Sequence, residues 1–242
     1  SEGSYDGKEP VKLMVEHGED IAIDGFAVTD HDGVEESLKA CEIAEDHDTI
    51  VLPGEEVSTS DGHLLAIGVE ERIQPRNPFQ ETVEKIREKG GAAVVPHPFQ
   101  KTRHGVSKRK IEEVDAVEAY NAWLFTGFQN HRARKFADHR GFPKVAGSDA
   151  HSIGLIGRAY TKIHIDKPKN EIEPDDIIEA LRDGDVEMEG SRAPMHRAAY
   201  HYVKATIRKT NYVVSEVLEE LVPELKRYSK PLTLGYRKIH SD

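Results

Sequence analysis

Seven side chains spread along the 242-residue sequence are of types that hold divalent cations: Asp6, His31, Glu56, His63, His97, Asp149 and His151. Asp149 and His151 stand one residue apart in Val145-Ala146-Gly147-Ser148-Asp149-Ala150-His151, behind a short apolar strand. In an extended segment alternate side chains face the same way, so both would meet one cation. Alone, the pair is no more than a turn-capping Asp and a surface His. It gains weight because four apolar strands end in such groups: Asp30-His31, Glu55-Glu56, His97, and Asp149 with His151. His63 opens a return strand, and Asp6 sits in the opening loop. Imidazole and carboxylate without Cys suit Zn, Mn or Fe, and a Glu can bridge two ions. Adjacent cations lower the pKa of a bound water and clamp the oxygens of a displaced phosphate. The chemistry indicated is metal-dependent hydrolysis of phosphate esters.

The blander readings are specific. One His at a strand end is more often a hydrogen-bonded surface group than a ligand. Asp30 and Asp32 stand where they would cap a helix beginning near Val34, and that role is assigned to Asp32. Four independent coincidences at strand ends make a wholly structural account the poorer one.

These residues need a scaffold that gathers strand ends. Helical spacing runs over residues 10–23, 34–47, 79–89, 125–139 and 174–182, and over a long stretch from Pro194 to about Leu221. Apolar strands fall between them at 25–29, 49–52, 63–69, 92–95, 116–120, 145–146, 160–165 and 186–189, with Asp61-Gly62 as a hairpin turn. The alternation predicts a mainly parallel sheet with covering helices. In a closed parallel barrel the C-terminal strand ends converge on one face.

Composition narrows the class. A hydrophobic content of 37% and a mean hydropathy of -0.60 describe a polar surface. No apolar run approaches the roughly 18 residues of a membrane span, and no signal-peptide pattern is present. The single cysteine, Cys41, excludes an intramolecular disulfide and fits the cytoplasm; it sits in a helical pattern as a packing residue. The net charge of -11 divides unevenly, with +5 on residues 192–242 and -16 on the rest. An acidic body disfavours duplex DNA. The basic tail, with Tyr200, Tyr202, Lys204, Arg208 and Lys209, suits a helix packed on the barrel, or a local contact with RNA.

In order, the pieces SYDG, VTDHDG, PGEEVS, GHLLAIG, VVPHPF, VEAYN, AGSDAH and GRAYT resemble the polymerase-and-histidinol-phosphatase (PHP) domain family over about residues 1–165. The resemblance implies a distorted seven-stranded (β/α) barrel over 1–190 and a helical extension over 191–242. It also implies up to three divalent ions, with a metal-bridging hydroxide as the nucleophile. By resemblance, Glu56 is the bridging carboxylate of a G-x-E motif, with His63 and His97 beside it on the second ion. Asp149 belongs to the first ion, and Asp6, His31 and His151 to the third. Glu55 holds the variable middle position. Arg103, in the basic loop after His97, is placed to grip a phosphate by a bidentate contact, with His104 and Asn121 as further candidates.

The family opens with a strand carrying D-x-H-x-H directly before the serine matching Ser1. The sequence here begins at Ser1, so the barrel is expected to lack its first strand and two first-ion ligands, and to hold fewer than three ions. The expected substrate is a small phosphorylated molecule, such as a nucleoside bisphosphate or short RNA. Histidinol phosphate is the alternative substrate. A non-catalytic binding module is the alternative class if the upstream motif is truly absent.

Overall fold

The computed structural model describes residues 1–191, apart from 5, 6, 8 and 124–126. The described residues belong to one unit, Ser1–Pro194. Asp6 and the basic tail from residue 192 onward, including the helix expected there, lie outside them.

Helix α1 (Val11–Asp20) buries Val11, Val15 and Gly18, one face of a 3.6-residue repeat. Helix α2 (Glu35–Ala44) buries the small residues Ser37, Ala40 and Ala44. The two pack together over Val28 and Val51. Cys41 is half-buried here, its Sγ 3.3 Å from the Val51 carbonyl, and burial pushes its thiol up to about 11. That is a packing thiol, not a nucleophile.

The strands are β1 (Gly25–Ala27), β2 (Asp30–His31), β3 (Ile50–Leu52), β4 (Gly54–Thr59), β5 (Gly62–Ile67), β6 (Ala92–Val95), β7 (Ala116–Asn121), β8 (Lys144–Gly147), β9 (Ala159–Ile163) and β10 (Val186–Gly190). A six-stranded sheet runs β2-β4-β5-β6-β7-β8, with β1 paired to β3 and β9 to β10. The strand expected over 25–29 leaves its ladder after Ala27 and resumes as β2 at Asp30. Its partner breaks at Pro53, which has no N–H to give a ladder. Beyond Pro53, Gly54 is a steric requirement: a Cβ there would lie 2.6 Å from the Ala66 carbonyl.

The sheet is mixed rather than mainly parallel. β1/β3, β2/β4, β6/β7 and β7/β8 are parallel, whereas β4/β5, β5/β6 and β9/β10 are antiparallel. The expected Asp61-Gly62 turn causes the first reversal, with Gly62 at φ 143 and Asp61 accepting the Phe79 N–H. Among the described residues no sheet closes on itself, so the architecture is mixed α/β.

Helices α3 (Phe79–Glu88), α4 (Gly127–Arg140) and α5 (Pro174–Asp183) cover the sheet. Helix α5 begins in a reciprocal capping box between Glu173 and Asp176 and ends at Gly184, φ 79. Its Ile177, Ile178 and Leu181 pack with Leu52, Ile67, Val94 and Val145. This apolar cluster floors a cavity of about 340 Å³ whose other walls carry His31, Glu56, His97, Glu118, Asp149 and His151.

Candidate metal centre

Glu56 is where the strand registers converge. Alternation along β4 turns Glu56 and Ser58 to one face and Glu55 to the other. Paired residues on neighbouring strands share a face, and His31 pairs with Glu56 while His63 pairs with Ser58. His97 follows β6 and Pro96 in a left-handed backbone conformation, φ 29. The outcome is a carboxylate ringed by imidazoles. His63 Nδ1 lies 2.6 Å and His97 Nε2 3.2 Å from Glu56 Oε1, and His31 Nε2 lies 3.9 Å from Oε2. Ring centroids are 5.0 Å apart for His31 and His63, and 5.7 Å for His63 and His97.

Burial alone would push the Glu56 carboxyl up, but His63 and His97 outweigh it and hold the carboxyl well below the usual range. Burial pushes His97 down against the pull of Glu56, which favours the neutral ring. Three donors, on His31, Glu56 and His63, lie within 4.8 Å of one another. The Nδ1 atom of His97 is buried with no hydrogen-bond partner among the described residues. A hard-to-borderline cation fits such a set, since it takes imidazole and carboxylate together and satisfies lone pairs that protein groups do not.

Asp149 reaches the same cavity by a route other than the expected one. β8 ends at Gly147, and Asp149 adopts a left-handed conformation, φ 48, so strand alternation does not align it with His151. A tight turn does so instead: His151 Nδ1 lies 2.9 Å from the Asp149 carbonyl and 3.6 Å from Oδ1. The His151 ring stacks on Trp123, centroids 5.4 Å apart. Arg103, expected to face a phosphate, forks onto Asp149, with Nη2 2.9 Å from Oδ1 and Nη1 on Oδ2. Burial pushes Asp149 up, but the guanidinium and His151 hold it below the ordinary carboxylate range. His104 is exposed, with its ring 5.3 Å from that of His63.

Two assignments change. Asp32 does not cap α2, whose N-terminus has no side-chain cap; Asp32 Oδ1 accepts the Ser58 N–H at 2.7 Å and ties β2 to β4. Asn121, considered for substrate contact, is fully buried, and its amide donates to Glu118 and Asp149, each at 2.9 Å. Glu118 itself escaped sequence reasoning. Burial and the neighbouring Asp149 push its carboxyl up. The available signal was a lone carboxylate inside the otherwise apolar run Ala116-Val117-Glu118-Ala119.

Residues 127–186 match the family model described as PHP-associated. Two uncharacterized proteins of Methanocaldococcus jannaschii are similar in sequence. One is 30% identical over 54% of this chain and 60% of its own length; the other is 27% identical over 53% and 75%. Among solved structures, a two-domain protein from Bacteroides vulgatus containing a predicted PHP-like metal-dependent phosphoesterase superposes with a TM-score of 0.63. It is 15% identical and covers 81% of this chain and 66% of that one. PsfC from Pseudomonas syringae superposes at 0.61, with 14% identity over 86% and 93%. An amidohydrolase from Chromobacterium violaceum, solved with bound sulfate, gives 0.52 and 17% identity over 62% and 85%. At these identities the structural likeness is one of fold.

Proposed function

We propose that the chain is a PHP-family protein, in line with the PHP-associated match over residues 127–186, and that its cavity is the site of a metal-dependent phosphoesterase. The observation that carries the reading is Glu56, in the cavity wall, with His31, His63 and His97 set around its carboxylate. Glu56 with His31 and His63 would hold one divalent ion, Zn, Mn or Fe; His97 and Asp149 border the same space and His151 lies next to Asp149. Such ions supply Lewis acidity at phosphorus and lower the pKa of a water, so no side-chain nucleophile is required.

The chain's own residues do the positioning. Glu56 stays ionised in a buried setting, which suits a bridging role. Burial pushes His97 toward the neutral ring, whose lone pair suits an ion. Arg103 carries the fixed positive charge nearest Asp149 and is the group we assign to a substrate phosphate once a cation takes over that carboxylate. The apolar side chains of Leu52, Ile67, Ile177 and Leu181 line the same cavity as the donors. The substrate class we assign is a small phosphate ester, a nucleoside bisphosphate or short RNA before histidinol phosphate.

The test is a phosphatase panel with Mn²⁺ or Zn²⁺ on histidinol phosphate, 3′,5′-bisphosphorylated nucleosides and short RNA, with Glu56→Gln and Asp149→Ala beside wild type. Release of phosphate from the monoesters, or of nucleotide from RNA, by wild type and its loss in both variants is expected. Equal turnover by Glu56→Gln would remove the reading.

A further inference from the structure

Residues three apart in a regular strand face opposite ways, yet Glu118 and Asn121 of β7 share a face. The register explains it. Glu118 pairs with Val145, Tyr120 with Ala146 and Asn121 with Gly147, so Ala119 is an extra residue and the ladder shifts between Glu118 and Tyr120. Val145 and Gly147 are two apart on one side of β8, and their partners follow them. A bulge of this kind re-aims a side chain at the cost of local pairing.

What it re-aims is a fully committed amide. Asn121 Oδ1 accepts the Trp123 N–H at 2.9 Å, which fixes which way the amide points. Nδ2 therefore has its two hydrogens for two carboxyl groups, Glu118 Oε2 and Asp149 Oδ2, each at 2.9 Å. Turning the amide over would set its oxygen against both carboxylates and its NH₂ against the Trp123 N–H. The Asn121 backbone is clamped as well: its N–H donates to Asn130 Oδ1 and its carbonyl accepts from Asn130 Nδ2, both at 3.1 Å. Glu118 Oε2 also accepts the His97 N–H at 2.6 Å, at the residue whose φ is 29. Gly147 keeps the space open, because a Cβ there would lie 2.4 Å from Glu118 Oε1.

We propose that Asn121 and Glu118 are positioning residues of the metal centre: the bulge in β7 makes one amide bridge the Asp149 carboxylate to the Glu118 carboxylate, and Glu118 in turn seats the backbone of His97. Two groups from strands far apart in sequence are thereby set by a single node. The metal half of this rests on the function proposed above; the seating of His97 does not.

The variants are Asn121→Ser, which keeps an oxygen for the Trp123 N–H and drops the second donor, Glu118→Ala, which removes the acceptor shared by Asn121 and His97, and the double variant. Each is measured as purified full chain by calorimetric titration with Mn²⁺, by thermal unfolding, and by hydrogen exchange of the His97 amide in metal-free protein. Each single variant is expected to bind Mn²⁺ about 10–100-fold more weakly, the usual effect of losing a partner behind a ligand. The double variant should lose no more than the worse single, because both act through one node. His97 exchange should quicken in both. A purely structural role would lower the unfolding temperature and leave the Mn²⁺ affinity of the folded protein within twofold of wild type; that outcome, or additive losses, overturns the proposal. If wild type binds no Mn²⁺, the metal reading falls separately and His97 exchange alone decides the seating: unchanged exchange in Asn121→Ser refutes it.

Discussion

Replacing Arg103 with alanine tests the charge balance of the cavity directly. Arg103 forks onto Asp149, with Nη2 2.9 Å from Oδ1 and Nη1 on Oδ2, and both side chains are more than four-fifths buried. Without the guanidinium, Asp149 keeps the Asn121 amide at 2.9 Å and His151 at 3.6 Å, neither carrying a fixed charge. Breaking a buried pair from one side costs about 3–5 kcal/mol. The residual exposure here argues for the lower end, near 3 kcal/mol. Arg103→Lys should recover part of this, because an ammonium makes a point contact where the guanidinium makes a fork. The assay is urea unfolding followed by circular dichroism at pH 7, in chelator and in saturating Mn²⁺. In Mn²⁺ the deficit should narrow, since an ion supplies the charge that Arg103 gave; at one hundred times the dissociation constant, binding contributes about 2.7 kcal/mol. A deficit under about 0.5 kcal/mol in chelator, the size of an ordinary surface change, would refute the account of the pair. Equal stabilisation of wild type and variant by Mn²⁺ would show that Asp149 does not meet the ion.

Two further outcomes follow from groups outside the donor ring. Glu55 is fully buried on the reverse face of β4, accepts the Ile73 N–H, and burial pushes its carboxyl up to about 7. An unfolded glutamate titrates near pH ~4.3, so the folded state holds a proton that the unfolded state releases. Stability should therefore fall as pH rises from about 5 to 7, by at most about 3 kcal/mol, and Glu55→Gln should flatten that slope in pH-dependent urea melts. Gly147→Ala places a Cβ 2.4 Å from Glu118 Oε1; forcing atoms into a packed site costs about 1–3 kcal/mol. Thermal unfolding should show that loss, and a melting temperature matching wild type would mean Glu118 moves aside freely.

How far the chain was legible depends on whether a feature is local. The helix around Cys41, the Asp61-Gly62 turn and most of the apolar strands are written in short-range spacing and stand close to where spacing puts them, the strand expected over 25–29 excepted. Glu56 and its imidazoles were legible as types at strand ends. Their approach to 2.6 and 3.2 Å was not, because it depends on the pairing of β4 with β2 and β5. Asp149 and His151 lie side by side through a left-handed turn rather than the extended strand expected of them. Asp32 read as a helix cap from its neighbours and turned out to bind the Ser58 amide, a partner remote in sequence.

The sequence by itself settles residue types, hydrophobic periods and turn chemistry, since these act within a few residues and cost or gain free energy locally. Only the tertiary structure decides register, and register decides company. One additional residue in β7 turns Glu118 and Asn121 to the same face, and nothing in Val117-Glu118-Ala119-Tyr120-Asn121 announces it. The shift becomes definite only when β8 supplies the ladder against which an extra residue can be counted.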